Sequence, residues 1–141
     1  MQQIDITQRV QFTCDYLVQV PAGYKIQPCL YTVDVTVRST TDSDDRLLDF
    51  ETLRDSISNV VPNGKFIVSL TDNHVKPIVD ALESFNVPIE RVSFKVSAEN
   101  LCRWIASMLQ GRLYFERPNI CVTEVVLNEN GMSTARWRRW Q

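Results

Sequence analysis

Apolar and polar residues alternate at two places in the first third of the chain. Val10, Phe12 and Cys14 interleave with Arg9, Gln11 and Thr13. Tyr31, Val33, Val35 and Val37 interleave with Thr32, Asp34, Thr36 and Arg38. A period of two puts each apolar set on one face of a half-buried strand. Pro21-Ala-Gly23 breaks the pattern between them, so the two strands are expected to pair as an antiparallel hairpin with a long loop.

The period then changes. Phe50, Leu53, Ile57 and Val60 follow helical spacing behind Asp49, a residue suited to an N-cap, and Pro62-Asn-Gly64 stops that helix. Phe66 to Leu70 is a short apolar run, read as strand because turn residues bound it closely. Val75, Ile78, Val79, Leu82 and Phe85 form the stripe of a second helix, capped by Asp72 or Asn73, with Pro77 in its first turn. Arg91 to Val96 reads as another short strand. Ser97 caps a third helix that carries Leu101, Trp104, Ile105, Met108 and Leu109 on one face. The C-terminus returns to alternation. Ile120, Val122, Glu124 and Val126 are expected on one face, with Cys121, Thr123, Val125 and Leu127 on the other. Asn128-Glu-Asn-Gly131 is a turn, and Met132 to Trp140 is the returning strand.

Composition narrows the classes. The 141 residues fit one domain, 1–141, with one core. The net charge of −2 gives no general attraction to nucleic acid or anionic membrane. No apolar run approaches the roughly 20 residues of a membrane span. Met1 to Thr7 is polar and is not expected to act as a signal peptide. Cys14, Cys29, Cys102 and Cys121 lack C-x-x-C spacing and read as buried free thiols in a reducing, cytoplasmic setting. Asp42, Asp44 and Asp45 read as a solvated acidic loop. Arg136-Trp-Arg-Arg-Trp140 reads as an edge strand rather than a nucleic-acid contact.

Local strings carry a resemblance. Ser97-Ala-Glu-Asn-Leu-Cys-Arg-Trp-Ile105 resembles the "P-T-A-E-N-L-A-x-W-I" helix start of the 6-pyruvoyltetrahydropterin and 6-carboxytetrahydropterin synthases. Leu47-Leu-Asp-Phe-Glu-Thr-Leu53 resembles their "(V/M)-x-D-F-x-x-L", Val122-Thr-Glu-Val125 their "V-x-E-T", and Tyr31-Thr-Val-Asp-Val-Thr-Val37 their second strand. The resemblance implies an α+β tunnelling fold: a four-stranded antiparallel sheet with helices on one face, assembled into an oligomeric barrel.

The same resemblance exposes what has been replaced. Its three zinc histidines fall on Tyr16, Gln27 and Cys29. Zinc is held by imidazoles, thiolates or carboxylates at about 2.0–2.3 Å, and this set is a poor match, so no metal or other cofactor is expected. The catalytic Asp-His pair falls on Asn63 and Gly64, neither of which exchanges a proton near neutral pH. The catalytic cysteine would fall in Ala22-Gly-Tyr-Lys25, which has no thiol. The only histidine, His74, reads as an exposed residue of a helical turn. Glu124 matches the glutamate that grips the pterin amidine edge, where a carboxylate accepts two parallel N–H bonds.

The expectation is therefore a metal-free relative of the synthases. It binds a purine- or pterin-like ring through Glu124, forms a homo-oligomer, and lacks the usual catalysis. Two alternatives stand beside it. One is a lyase with chemistry rebuilt on Cys29, Tyr16 or Lys65. The other is a structural subunit with a vestigial pocket.

Overall fold

The computed structural model describes residues 2–41, 49–117 and 119–139. The acidic Asp42–Asp45 stretch, Leu47-Leu48 and Trp140 lie outside them. Among the described residues, six strands and three α-helices follow in the order β1 (Gln2–Val20), β2 (Gly23–Thr41), α1 (Phe50–Val60), β3 (Lys65–Ser69), α2 (Lys76–Ser84), β4 (Ile89–Val92), α3 (Ala98–Glu116), β5 (Ile120–Glu129) and β6 (Ser133–Arg138). A 3-10 turn, Asn73–Val75, leads into α2.

β1 and β2 are far longer than their alternating cores suggested. They pair without interruption from Gln2↔Thr41 to Val20↔Gly23, so the expected long loop is a tight turn at Pro21-Ala22. Gly23 takes a positive φ of 133°, which frees the chain to reverse there.

The sheet is six-stranded and mixed, in the order β4-β3-β1-β2-β5-β6, rather than four-stranded and antiparallel. β3 pairs in parallel with β1 at Cys14–Tyr16, and β4 pairs in parallel with β3. The two short apolar runs therefore extend the sheet instead of standing apart. The physical reason is the free edge of β1, whose N–H and C=O groups past Thr13 need partners.

Helices also do not share one face. α1 and α3 cover a core that includes Phe12, Tyr31, Val33, Val35, Leu53, Ile57, Leu101, Ile105, Leu109, Val125 and Leu127. Ile67 of β3 belongs to this core, whereas its neighbours Phe66 and Val68 point the other way. Those two pack with Val75, Val79, Leu17 and Tyr24, so α2 closes a smaller core on the opposite face. Successive side chains of a strand alternate, so β3 needs cover on both sides.

α1 and α3 begin where their caps said they would. Asp49 Oδ1 accepts the Thr52 N–H at 2.7 Å, and Ser97 Oγ accepts the Asn100 N–H at 3.2 Å. α2 has no side-chain cap; Asp72 instead accepts the His74 N–H one turn earlier.

β5 departs from simple alternation. Thr36 lies opposite Glu124 but Val37 lies opposite Val122, so Thr123 is an extra bulged residue. Ile120 and Val122 face the core before the bulge, and Val125 and Leu127 face it afterwards. The expected face of Ile120, Val122, Glu124 and Val126 is thus split. Glu124 stands on the face turned away from α3.

Candidate functional site

The end of the β1–β2 hairpin, the C-terminal end of β3, the start of α3 and the β5–β6 turn surround a cleft of about 760 Å³. Tyr16, Tyr24, Asp72, Lys95, Glu99 and Glu129 supply its charged and aromatic lining.

Strand register brings together the positions that the resemblance aligned with the zinc histidines. Tyr16 stands opposite Gln27, and Cys14 opposite Cys29, all on the core face of β1 and β2. β5 adds Glu129 opposite Tyr31. One carboxylate oxygen of Glu129 accepts the Tyr16 hydroxyl at 2.8 Å and the Cys29 thiol at 3.4 Å. Asn130 approaches the Cys29 sulfur from the turn, with its Nδ2 3.9 Å away. The other oxygen of Glu129 has no hydrogen-bond partner among the described residues.

The three positions aligned with the zinc histidines offer poor donors for a cation. Burial, reinforced by the Glu129 hydrogen bond, raises the Tyr16 phenol well above its usual range. Burial also raises the Cys29 thiol and pushes Cys14 up to about 12. Gln27 turns its amide to the Pro28 carbonyl at 3.2 Å. Zinc takes thiolates rather than thiols. Among the described residues no group of three or more His, Cys, Asp or Glu side chains gathers to hold a metal ion. The set does not fit the family's zinc.

Asn63 and Gly64, expected from the resemblance at the positions of the catalytic pair, have a structural task. Asn63 Oδ1 accepts the Thr13 N–H at 3.0 Å, and the Gly64 N–H donates to the Thr13 carbonyl at 2.7 Å. Together they latch the start of β3 to β1. Gly64 does this at a φ of +73°, which a side chain would strain. Lys65 reaches Glu90 at 3.7 Å, away from the cleft lining. His74 is exposed in the 3-10 turn.

Glu124 lies outside the cleft. Its Oε2 is 2.7 Å from Arg138 Nε and 4.0 Å from Arg136 Nε, so it closes an ion pair with β6. Glu129 was missed from sequence, although a signal existed: the face of Val125 and Leu127 continues to Glu129, just before Asn130-Gly131 reverses the chain. Among the described residues no helix is long and apolar enough to cross a membrane.

Comparisons with known proteins fit this geometry. An uncharacterised protein from Wolinella succinogenes superposes with a TM-score of 0.73 at 16% identity, over 99% of this chain and 100% of that one. The 6-pyruvoyl tetrahydropterin synthase of Plasmodium vivax gives 0.71 at 17% identity, over 99% of both chains. That of Caenorhabditis elegans gives 0.64 at 10% identity, over 99% and 98%. At such identities these likenesses show the fold alone. No curated protein matches the chain. The profile of one family, described as 6-pyruvoyl tetrahydropterin synthase, matches residues 29–139. With most of its length inside that match, the chain belongs to the 6-pyruvoyl tetrahydropterin synthase family.

Proposed function

We propose that this protein is a metal-free, homo-oligomeric and cytoplasmic member of the family that binds a purine- or pterin-like ring without carrying out the synthase reaction. The observation that carries the reading is the Glu129 carboxylate. It lines the cleft, is held in place through one oxygen by Tyr16 and Cys29, and keeps the other oxygen without a partner among the described residues. The other oxygen can accept a charge-assisted bond from an N–H of a 2-amino-4-oxo ring.

Charge supports a ring without phosphates. Asp72, Glu99 and Glu129 line the cleft against the single ammonium of Lys95. A triphosphate would bring several negative charges to a lining already acidic on balance. Glu124 takes a gripping role only where a neighbouring subunit completes a site around it and Arg138 releases it. A lyase reading is less well supported, because Tyr16 and Cys29 are both held protonated and Asn63 and Gly64 are spent on the β1–β3 latch.

The test is a metal inventory of the purified protein with thermal melts in guanine, neopterin, biopterin and dihydroneopterin triphosphate. The expected result is less than stoichiometric zinc and a higher melting temperature with one of the phosphate-free rings, without turnover. Zinc near one per chain together with turnover of the triphosphate would establish the lyase instead. No response to any ring would leave a structural subunit.

A further inference from the structure

We infer that Cys14 and Cys29 form a dithiol that closes to an intramolecular disulfide under a hydroperoxide, and that this closure acts on the Tyr16–Glu129 cluster. The two residues are direct cross-strand partners in the β1–β2 ladder. Both are free and buried in the main core. Backbone hydrogen bonding fixes which kind of pair they are. The Thr13 N–H and C=O are taken by Asn63 and Gly64, on the β3 side. The Leu30 N–H and C=O are taken by Asn130, on the β5 side. The pair Thr13–Leu30 therefore turns its backbone groups away from the β1–β2 seam. The next pair, Cys14–Cys29, exchanges its bonds across that seam, which sets the Cα atoms about 5.5 Å apart. A disulfide spans Cα separations of about 4.4–6.8 Å, with its mode near 5.5–6 Å. Both side chains rise from the same face, with Cβ atoms about 5.5 Å apart in such a pair against the roughly 3.5–4.5 Å of a disulfide, so closure keeps the register but draws the two strands together locally and gives a strained, easily reduced bond.

The chemistry has a defined direction. Cys29 is the first thiol to react: burial raises it, but hydrogen bonding from Tyr16 and Tyr31 favours its thiolate, whereas burial pushes Cys14 up to about 12. The Cys29 sulfur attacks the terminal oxygen of a hydroperoxide, the O–O bond breaks, and an alcohol or water leaves. The product is a sulfenic acid on Cys29. Cys14 then attacks that sulfur, the S–O bond breaks, and a second water leaves with the Cys14 proton. Two thiols are oxidised by two electrons and the hydroperoxide is reduced. Burial raises both thiols, so the reaction quickens as pH rises. Closure removes the Cys29 donor from Glu129 and leaves Tyr16 as its remaining partner in the cluster. Cys102 and Cys121 have no such partner. Cys102 points its sulfur at the Val125 and Ala135 carbonyls, and Cys121 lies near the Val122 carbonyl.

The experiment treats the native full-length chain with hydrogen peroxide, then denatures it, alkylates it and maps its peptides by mass. The expected result is one crosslinked peptide pair joining Cys14 to Cys29, two hydrogens lighter than the dithiol and reopened by dithiothreitol. Cys102 and Cys121 should remain alkylated. Cys14→Ser should abolish the crosslink and leave Cys29 as a sulfenic acid trapped by dimedone. Should that variant not fold, the map of the unaltered protein decides alone. Recovery of both thiols alkylated after treatment, or a crosslink joining any other pair, overturns the inference. The consequence for the cluster rests on the ring-binding proposal and is read separately, as weaker ring affinity of the oxidised protein. The same affinity before and after closure overturns the coupling, whereas a crosslink in a protein that binds no ring overturns only the ring proposal.

Discussion

Glu129 and Glu124 lie on one strand and have opposite circumstances. Glu124 is neutralised by Arg138 on the sheet's outer face, while Glu129 is held at the cleft by neutral donors. If the open oxygen of Glu129 accepts an N–H bond from a ring, that charge-assisted bond contributes about 1.5–3 kcal/mol. Glu129→Gln keeps the shape and can still accept from Tyr16, but it faces the ring with a donor. Ring affinity should fall by about tenfold to several hundredfold on this substitution. Glu124→Gln should cost clearly less. Calorimetry with neopterin on both variants checks the pair, and a larger loss at Glu124 would return the gripping role to that residue. Strand alternation was enough to put Tyr16 and Cys29 on the core-facing side, because a period of two is local. It was not enough for Glu124. One bulged residue, Thr123, reverses the face of everything beyond it, and a bulge is set by pairing with β2 rather than by the β5 sequence.

Among the elements, the capped helices were the most legible. Asp49 and Ser97 are N-caps in sequence and in structure, since a side-chain acceptor answers N–H groups only a few residues away. Ser97→Ala should destabilise the fold by about 1 kcal/mol and lower the melting temperature by roughly 2–5 °C. It should also loosen the start of α3 where it borders the cleft. Asp49 adds a pH dependence. Backbone N–H bonds, chiefly from Thr52, hold its carboxyl below the ordinary 3.8. A group whose folded value is depressed contributes stability above its unfolded value and loses it as pH falls through the folded one. Acid unfolding should therefore show a loss beginning below about pH 4. Asp49→Asn, which caps without ionising, should flatten that part of the curve. An unchanged acid limb in circular dichroism would show that Asp49 is not among its causes. The length of the first hairpin was less legible. Its outer half alternates polar and apolar residues weakly, and unbroken backbone pairing, not side-chain pattern, carries the ladder to Gln2 and Val20.

For the molecule as a whole, the governing feature is the open sheet. β3 covers β1 only at Cys14–Tyr16, and β6 forms the far edge. From Gln3 to Phe12 the outer edge of β1 has no strand partner among the described residues. Long free edges are paired, covered or guarded in proteins. Arg9 and Asp5 bond across to Asp34 and Arg38 on the outer face, so charge on that face does not close the backbone edge. The expected state is a homo-oligomer in which β1 of one subunit meets a β6 edge of another. Light scattering at micromolar concentration should give a mass well above 16.3 kDa, and a monomer there would refute this. A proline at Thr7, on the unpaired edge, would lower the assembled fraction if that edge is the contact.

Sequence by itself determined the family, the order of the elements and the caps of α1 and α3. All of these are local: caps act within one turn, and strand faces follow a two-residue period. Tertiary structure alone decided that β3 and β4 join the sheet, that α2 covers the opposite face, and that Asn63 and Gly64 serve as a latch. It also decided that Glu129 meets Tyr16 and Cys29. These depend on which strands become neighbours. Pairing between segments distant in sequence is set by the burial of both sheet faces together, and no single segment records it.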